Sequence, residues 1–341
     1  MPVRARLVDV AARAAVSTAT ASLVLRGRAG PSAAARERVQ AAAAELGYRP
    51  DRAASVLARH RSRLLGVVLD VTNPFQAELA ANLDTEAASR DLDIVLAPVT
   101  SRRDEAAAAE TLVDFRCEAL VLIGPELSGA RIAVLATAVP TVVIGRAGTG
   151  GALGVHVDDA AGVGAAVRHL LALGHERIGY VDGPRGVIAT TRRRGYLQAM
   201  RRGGFAGAAL VLPGGNTEEA GLVAGRSLVQ QPPDERPTAV VAFNDRCAIG
   251  IRESVLRAGL RLPDELSIVG YDDSPPARMA TVDLTSVSQD PTALAAAAVA
   301  SAWSLLEGGP APRDVVVAPR LVTRGSTAPP RPGQSEALPL S

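Results

Sequence analysis

Apolar positions along the chain change their rhythm once, near residue 64. From Leu7 to Leu46 they recur every three or four residues, the period of an amphipathic helix. Leu7, Val10, Ala11 and Ala14 share one face of a helix predicted over about 7–15. A three-residue break, Ala15-Val16-Ser17, follows, and the Ser17 hydroxyl suits the cap of the next helix. That second helix, about 18–25, sets Ala21, Val24 and Leu25 against Ser17, Thr18, Ala19 and Ser22 on its other side. Gly27, after Arg26, fits the left-handed residue that ends a helix. Pro31-Ser32 opens a third helix that Gly47 stops after Leu46. Two helices joined by a tight turn and buttressed by a third predict a helix-turn-helix over residues 1–50. Residues 51–63, with Asp51 as a cap and Leu57 as the one prominent apolar side chain, read as a linker.

Beyond it the pattern becomes short continuous apolar runs separated by Ala-rich helical stretches. Strands are expected at 64–70, 93–97, 119–123, 141–144, 177–181, 239–243 and 267–271. Runs of this kind belong to parallel sheets covered by helices on both faces. Two Rossmann-like lobes fit between 64 and 327. The Gly-rich stretch 148–154 lacks the dinucleotide-binding spacing and is expected to be a loop. Residues 328–341, rich in Pro, have the composition of a disordered tail.

Composition narrows the picture further. The chain is 48% hydrophobic and 21% charged, an ordinary globular balance. No apolar run is long enough to span a bilayer, and the N-terminus shows no secretory h-region, so a cytoplasmic protein without membrane contact is expected. Cys117 and Cys247 are distant in sequence and read as buried reduced thiols. Residues 1–65 hold twelve Arg against four acids, a net +8 that leaves −6 for the rest of a chain whose total is +2. A basic head on an acidic body is the electrostatic footprint of nucleic-acid binding, although charge alone fits a solvated basic face equally well. Every basic residue except His is Arg. Mechanisms that need a lysine, such as a Walker-A phosphate cradle or a Schiff base, are thereby excluded.

Polar residues cluster just after the predicted strands: Asp70 with Asn73, Arg146, Asp182, Asn244-Asp245 and Asp272-Asp273. Each taken singly is as well explained by a helix cap or a turn. As a set they predict a cleft beyond the carboxyl ends of the strands, with acceptors and an Arg fork for a small polyhydroxy ligand. His60, His156, His169 and His175 lack metal-ligand spacing, and no nucleophile elbow occurs, so no metal, cofactor or enzymatic activity is expected.

Read in order, several motifs resemble the LacI family of bacterial repressors over nearly the whole chain. They are Val8-Asp9-Val10-Ala11 with Ala15 through Ser22, Leu46-Gly47-Tyr48-Arg49-Pro50, Leu173-Gly174-His175-Glu176-Arg177-Ile178, Asn244-Asp245 with Ala248-Ile249-Gly250, and Ser267 through Asp273. The resemblance implies an N-terminal helix-turn-helix, a hinge helix within 51–63, and a two-lobed periplasmic-binding-protein-like sensor domain. Lobe 1 would comprise about 64–159 plus 290–327 and lobe 2 about 160–289. It places Thr18, Ala19 and Leu23 against bases of double-stranded DNA. Ser17, Thr20 and Ser22 would sit at phosphates or caps, with Arg26, Arg52 and Ala54 also on DNA. Leu57 would be a minor-groove wedge. Asp70, Asn73, Phe75, Arg192, Phe243, Asn244, Asp272 and Gln289 match effector-pocket positions, and Arg146, from the strand ends, is expected to join them. A homodimer on a pseudo-palindromic operator follows from the family's symmetry, with a tetramer left open. Leu23 stands where the family commonly has Arg, Arg26 where it has Asn, and Gly145 where an acidic residue often meets the ligand. A periplasmic-type solute carrier and a nucleotide-cofactor enzyme are the competing readings. The basic head opposes the first, and the lack of a phosphate-binding loop opposes the second.

Overall fold

The computed structural model describes residues 5–25, 29–48, 61–309 and 313–331. The chain divides into two units, Met1–Ser62 and Arg63–Ser341.

In the first unit, α1 (Leu7–Arg13) and α2 (Thr18–Leu25) meet at 103°, and α3 spans Ala33–Glu45. The angle is that of a helix-turn-helix. Helix α1 ends two residues sooner than its apolar spacing suggests, because Ala15 takes φ 53° and turns the chain. That left-handed conformation costs a residue with a Cβ about 1–2 kcal/mol. Ser17 Oγ accepts a hydrogen bond from Thr20 N at 3.1 Å, the expected cap, and Ser32 Oγ caps α3 by accepting one from Ala35 N. Gly47 (φ 58°) closes α3, with its N–H donating to Ala44 and that of Tyr48 to Ala43, the paired bonds of a Schellman cap. The core is thin: Val10, Val24 and Val39 are its largest buried side chains, surrounded by Ala11, Ala14, Ala21, Ala42 and Ala43.

The second unit holds two six-stranded sheets. The first comprises β1 (Leu64–Leu69), β2 (Asp93–Pro98), β3 (Ala119–Ile123), β4 (Thr141–Ile144), β5 (Leu153–Val157) and β11 (Val315–Val317). Its order is β11-β5-β4-β3-β1-β2, parallel throughout. The second comprises β6 (Ile178–Val181), β7 (Leu210–Leu212), β8 (Ala239–Ala242), β9 (Ser267–Asp272), β10 (Thr285–Ser288) and β12 (Arg320–Val322). Its order is β12-β10-β9-β8-β6-β7, with only β12 antiparallel. Strand β1 shows why the apolar runs are unbroken. Leu65, Val67 and Leu69 pack on one side with Leu79 and Leu83, while Val68 packs on the other with Ala108 and Leu112. Both faces are buried, so both parities must be apolar.

The chain passes between the lobes three times, after β5, after β10 and between β11 and β12. The third crossing corrects the expected lobe division. Residues 313–317 complete the first sheet, but β12 pairs with β10 of the second lobe, so 320–327 belong there. Of the expected tail, residues 328–331 are ordered, and 332–341 lie outside the described residues. Ala328 is held by His175 Nε2 (2.8 Å) and by Ser267, and Arg331 pairs with Asp264 at 3.2 Å, so the segment rests on the second lobe as far as Arg331. Among the Gly-rich residues, 148–152 form the expected loop and Leu153-Gly154 begin β5. The Asp314 carboxylate ties this segment by accepting from Gly148 N and Gly154 N at 2.9 and 2.7 Å.

Candidate functional site: a recognition helix and an inter-lobe cleft

In the first unit, α2 presents two different faces. Ala21 and Val24 are buried, whereas Ser17, Thr18, Ala19 and Leu23 are exposed and Thr20 and Ser22 are half-buried. The Ser17 hydroxyl already serves the helix end, bonding Thr20 N and lying 2.9 Å from Thr20 Oγ1. Thr18, Ala19 and Leu23 therefore form the outward surface, and Leu23, 41% exposed, is too apolar to be there for solvation. Arg26, Arg52, Ala54 and Leu57 lie outside the described residues.

In the second unit, a cavity of about 320 Å³ opens between the lobes at the carboxyl ends of the strands. Ligands of open α/β sheets bind at this position, where the strand ends of both sheets face one crevice. Asn73, Phe75 and Arg146 line it from the first lobe, and Arg192, Phe243, Asn244, Asp272 and Gln289 from the second. Eight of the nine expected effector residues are thus brought together. Asp70 is the exception. It lines an adjoining space of about 760 Å³ walled by the first lobe and Asn216 of the second, its Oδ1 bonded to Thr72 N and Oγ1, its Oδ2 3.7 Å from Arg246.

Two of the Asn residues do what any N-cap does. Asn73 Oδ1 accepts from Phe75 N and Gln76 N at the start of helix Pro74–Ala88. Asn244 Oδ1 accepts from Cys247 N, and its amide donates to the Asn216 carbonyl at 3.0 Å. The helix that Asn244 caps, Asp245–Arg257, is drawn against Glu218–Gln230 by missing side chains. A Cβ on Gly250 would lie 2.0 Å from the Glu218 carbonyl. Capping and cleft lining are therefore one function at these positions, because parallel strands deliver helix N-termini to the same edge.

Arg192 is the organising cation of the second lobe. Its Nε donates to Asp159 Oδ1 at 2.8 Å, one terminal nitrogen donates to the Phe243 carbonyl at 2.7 Å, and its guanidinium stacks 3.6 Å from the Tyr271 ring centre. Burial pulls its pKa down, but Asp159, Tyr271 and Asp272 outweigh that and hold it above the ordinary arginine value. Asp272 faces the opposite pressure. Burial pushes its carboxyl pKa up against the pull of Arg192, and Gln289 Nε2 donates to its Oδ1 at 2.6 Å. Its φ of 116° is a strained backbone for any residue with a Cβ, the kind of cost that collects at functional sites. Neighbouring Asp245, wholly buried under Ser274 and Ser286, is also pushed up by burial.

Sequence reasoning missed several cleft residues. Arg185 and Ile188 line the cavity from the loop and first turn before and within helix Val187–Arg202. The rule that polar residues follow strands singled out Asp182, and extending it three residues reaches Arg185. Asp182 itself is engaged by Arg193 at 2.9 Å. The inter-lobe pair Glu78–Arg278 had no local signal, since its members lie 200 residues apart. Among the described residues no cluster of His, Cys, Asp and Glu is placed to hold a metal. Cys117 and Cys247 are free and buried, and burial pushes their thiols up to about 11 and about 12, so neither is a ready nucleophile. The arrangement is suited to holding a small polar molecule between two lobes.

Comparison with known proteins agrees with both parts. Residues 6–51 match the model for bacterial regulatory proteins of the lacI family, and 167–327 match a periplasmic binding protein-like domain. The chain is 31% identical to the HTH-type transcriptional repressor CytR of Escherichia coli, over 84% of this chain and 85% of that one. It is 33% identical to the HTH-type transcriptional regulator reg1 of Streptomyces lividans, over 95% and 96%. Among solved structures, a LacI transcriptional regulator from a Rhodococcus species is 41% identical, with a TM-score of 0.76 over 79% of this chain and 100% of that one. The lac repressor dimer bound to operator and an anti-inducer is 26% identical, with a TM-score of 0.81 over 96% and 100%. Among the described residues no single helix is long and apolar enough to cross a membrane.

Proposed function

The chain belongs to the LacI family of bacterial regulatory proteins, a sequence-specific DNA-binding regulator with an effector-binding sensor and not an enzyme, and from that premise we propose how its parts divide the work. It binds a pseudo-palindromic operator in the cytoplasm as a homodimer, with Thr18, Ala19 and Leu23 of each copy turned to the major groove. Ser17, Thr20 and Ser22 hold the helix end and the phosphates, and Arg26, Arg52, Ala54 and Leu57 complete the contact. Leu23 reads by apolar contact, which favours a thymine methyl over a guanine edge.

The single observation that carries the sensing half is the cavity whose walls come from both lobes. A molecule that touches both walls binds a closed arrangement better than an open one and so shifts the equilibrium between them. The eight pocket residues named above, with Asp70 reached through Arg246, are the proposed effector contacts, and the effector is a sugar or a related small metabolite. Relatives support that class in general terms: one solved relative is a transcriptional regulator CelR–cellobiose complex, and another holds bound ribose. Operator affinity follows the lobe arrangement, a coupling between two sites.

The test is capture of genomic DNA by the full chain, followed by a thermal-shift screen of metabolites and operator binding with and without each hit. Specific sites with two-fold symmetry, and a hit that changes affinity for them, are expected. A capture with no specific site overturns the proposal.

A further inference from the structure

Two guanidinium groups line the cleft with no carboxylate to answer them. Arg146 follows β4 in the first lobe, is half-buried, and spends one donor on the Leu127 carbonyl at 3.1 Å. Arg185 stands across the cleft, in the second-lobe loop ahead of helix Val187–Arg202. Four other arginines around the cleft are paired, Arg192 with Asp159, Arg193 with Asp182, Arg246 with Glu218 and Arg278 with Glu78. Arg146 and Arg185 are in no ion pair among the described residues.

The surroundings make this excess of charge harder to dismiss. Gly145, with φ 100°, brings no side chain to the wall, and Ile188 of the opposite lobe lies 3.4 Å from where its Cβ would be. Two carboxylates belong to the cavity lining. Asp272 is already bonded to Gln289, and Glu126 has its side chain on the exposed rim. Helix Val187–Arg202 begins at Gly186 with no side-chain cap, whereas the other helices that start at this cleft are capped by Asn73, Ser128 and Asn244. Uncapped N–H groups beside Arg185 add positive potential to the same wall.

We propose that the effector carries an anionic oxygen head, a phosphomonoester or a carboxylate, held between Arg146 of one lobe and Arg185 of the other. This deepens, and rests on, the reading of the cleft as the effector site. A charge-assisted bond to each wall makes the anion a bridge, so that Arg146 and Arg185 set ligand specificity and favour closure together. A neutral sugar would leave both guanidinium groups without an anionic partner, Arg146 half-buried in the wall and Arg185 exposed at the mouth.

The experiment uses the full chain and its Arg146→Gln and Arg185→Gln variants. Each is titrated with inorganic phosphate and, separately, with acetate, at an ionic strength held constant with chloride, and Tm is read. A saturable rise above the chloride control is expected, with the apparent Kd weakened about tenfold in either variant. A response to phosphate alone assigns the phosphomonoester, and one to acetate assigns the carboxylate. No saturable response to either anion, or a response that both variants keep, overturns the proposal. A neutral sugar that raises Tm equally in all three proteins also overturns it, yet leaves the effector cleft standing. Operator capture tests that cleft's regulatory role independently of this titration.

Discussion

Arg278 grips both carboxylate oxygens of Glu78, at 2.8 and 3.1 Å, and the two residues belong to different lobes. Arg278 ends the short turn Pro275–Arg278 of the second lobe, and Glu78 lies in helix Pro74–Ala88 of the first. Arg246, bound to Glu218 in its own lobe, adds a looser approach to Asp70 across the same gap at 3.7 Å. Both contacts join the first lobe to the second.

The Glu78–Arg278 pair is 23% and 38% exposed, so solvent screens it and its worth is about 0.5–1 kcal/mol. Glu78→Gln and Arg278→Gln should each loosen the closed form, raising the radius of gyration in small-angle scattering on the full chain. A double-mutant cycle should return a coupling of that size, and a coupling near zero would show the pair to be idle.

Arg192→Met tests the buried cation. The substitution keeps much of the volume but leaves Asp159 and the Phe243 carbonyl without their donor. Removing one partner of a buried pair costs about 3–5 kcal/mol, so denaturant unfolding should show a large loss. Arg192→Lys should recover only part of it, because the ammonium cannot reproduce the fork or the stack on Tyr271.

His175 should make the second lobe sensitive to acid. Its Nε2 donates to the Ala328 carbonyl at 2.8 Å, and its Nδ1 lies 2.8 Å from the Thr238 hydroxyl. Burial lowers its pKa, and burial lowers that of His169 as well. The unfolded chain then binds protons more readily than the native one. The contribution is fully present above the unfolded value of about 6.5 and is lost as pH falls below it. Urea midpoints should therefore drop on acidification, less steeply for His175→Gln. Parallel slopes would clear His175 of any part in it.

Val39 is fully buried in a core that has no buried side chain larger than valine. Val39→Ala removes two methyl groups, worth about 2 kcal/mol, from a three-helix module with little to spare. Specific DNA binding should be lost at a lower temperature than in the parent, while a ligand-induced shift of the sensor is unchanged.

Leu57, under the wedge reading, should discriminate between kinds of DNA. Leu57→Ala is expected to weaken binding to the operator much more than to random duplex, because only a site that accepts unstacking rewards the wedge. Equal losses on both would remove that role from Leu57.

Local pattern alone determined the three helices with their Ser17, Ser32 and Gly47 ends, the seven long apolar strands, and the basic head. Those features arise from neighbours in sequence: a cap bonds three residues on, and a strand covered on both faces must be apolar at both parities. Tertiary structure decided the rest. Strand β10, Thr-Ser-Val-Ser, looks like a surface segment, yet it is wholly buried because its hydroxyls find Arg324, Asp245 and the Asp273 amide. The final strand looked like the end of lobe 1 and pairs instead with lobe 2, since nothing in three residues, Arg320–Val322, specifies a partner. Asp70, Arg185 and the Glu78–Arg278 grip acquire their roles only when two sheets bring distant strand ends to one crevice. A sequence can mark where a strand stops and a polar residue stands. Which charges are answered there, and that Arg146 and Arg185 are not, depends on residues whose separation in space bears no relation to their separation along the chain.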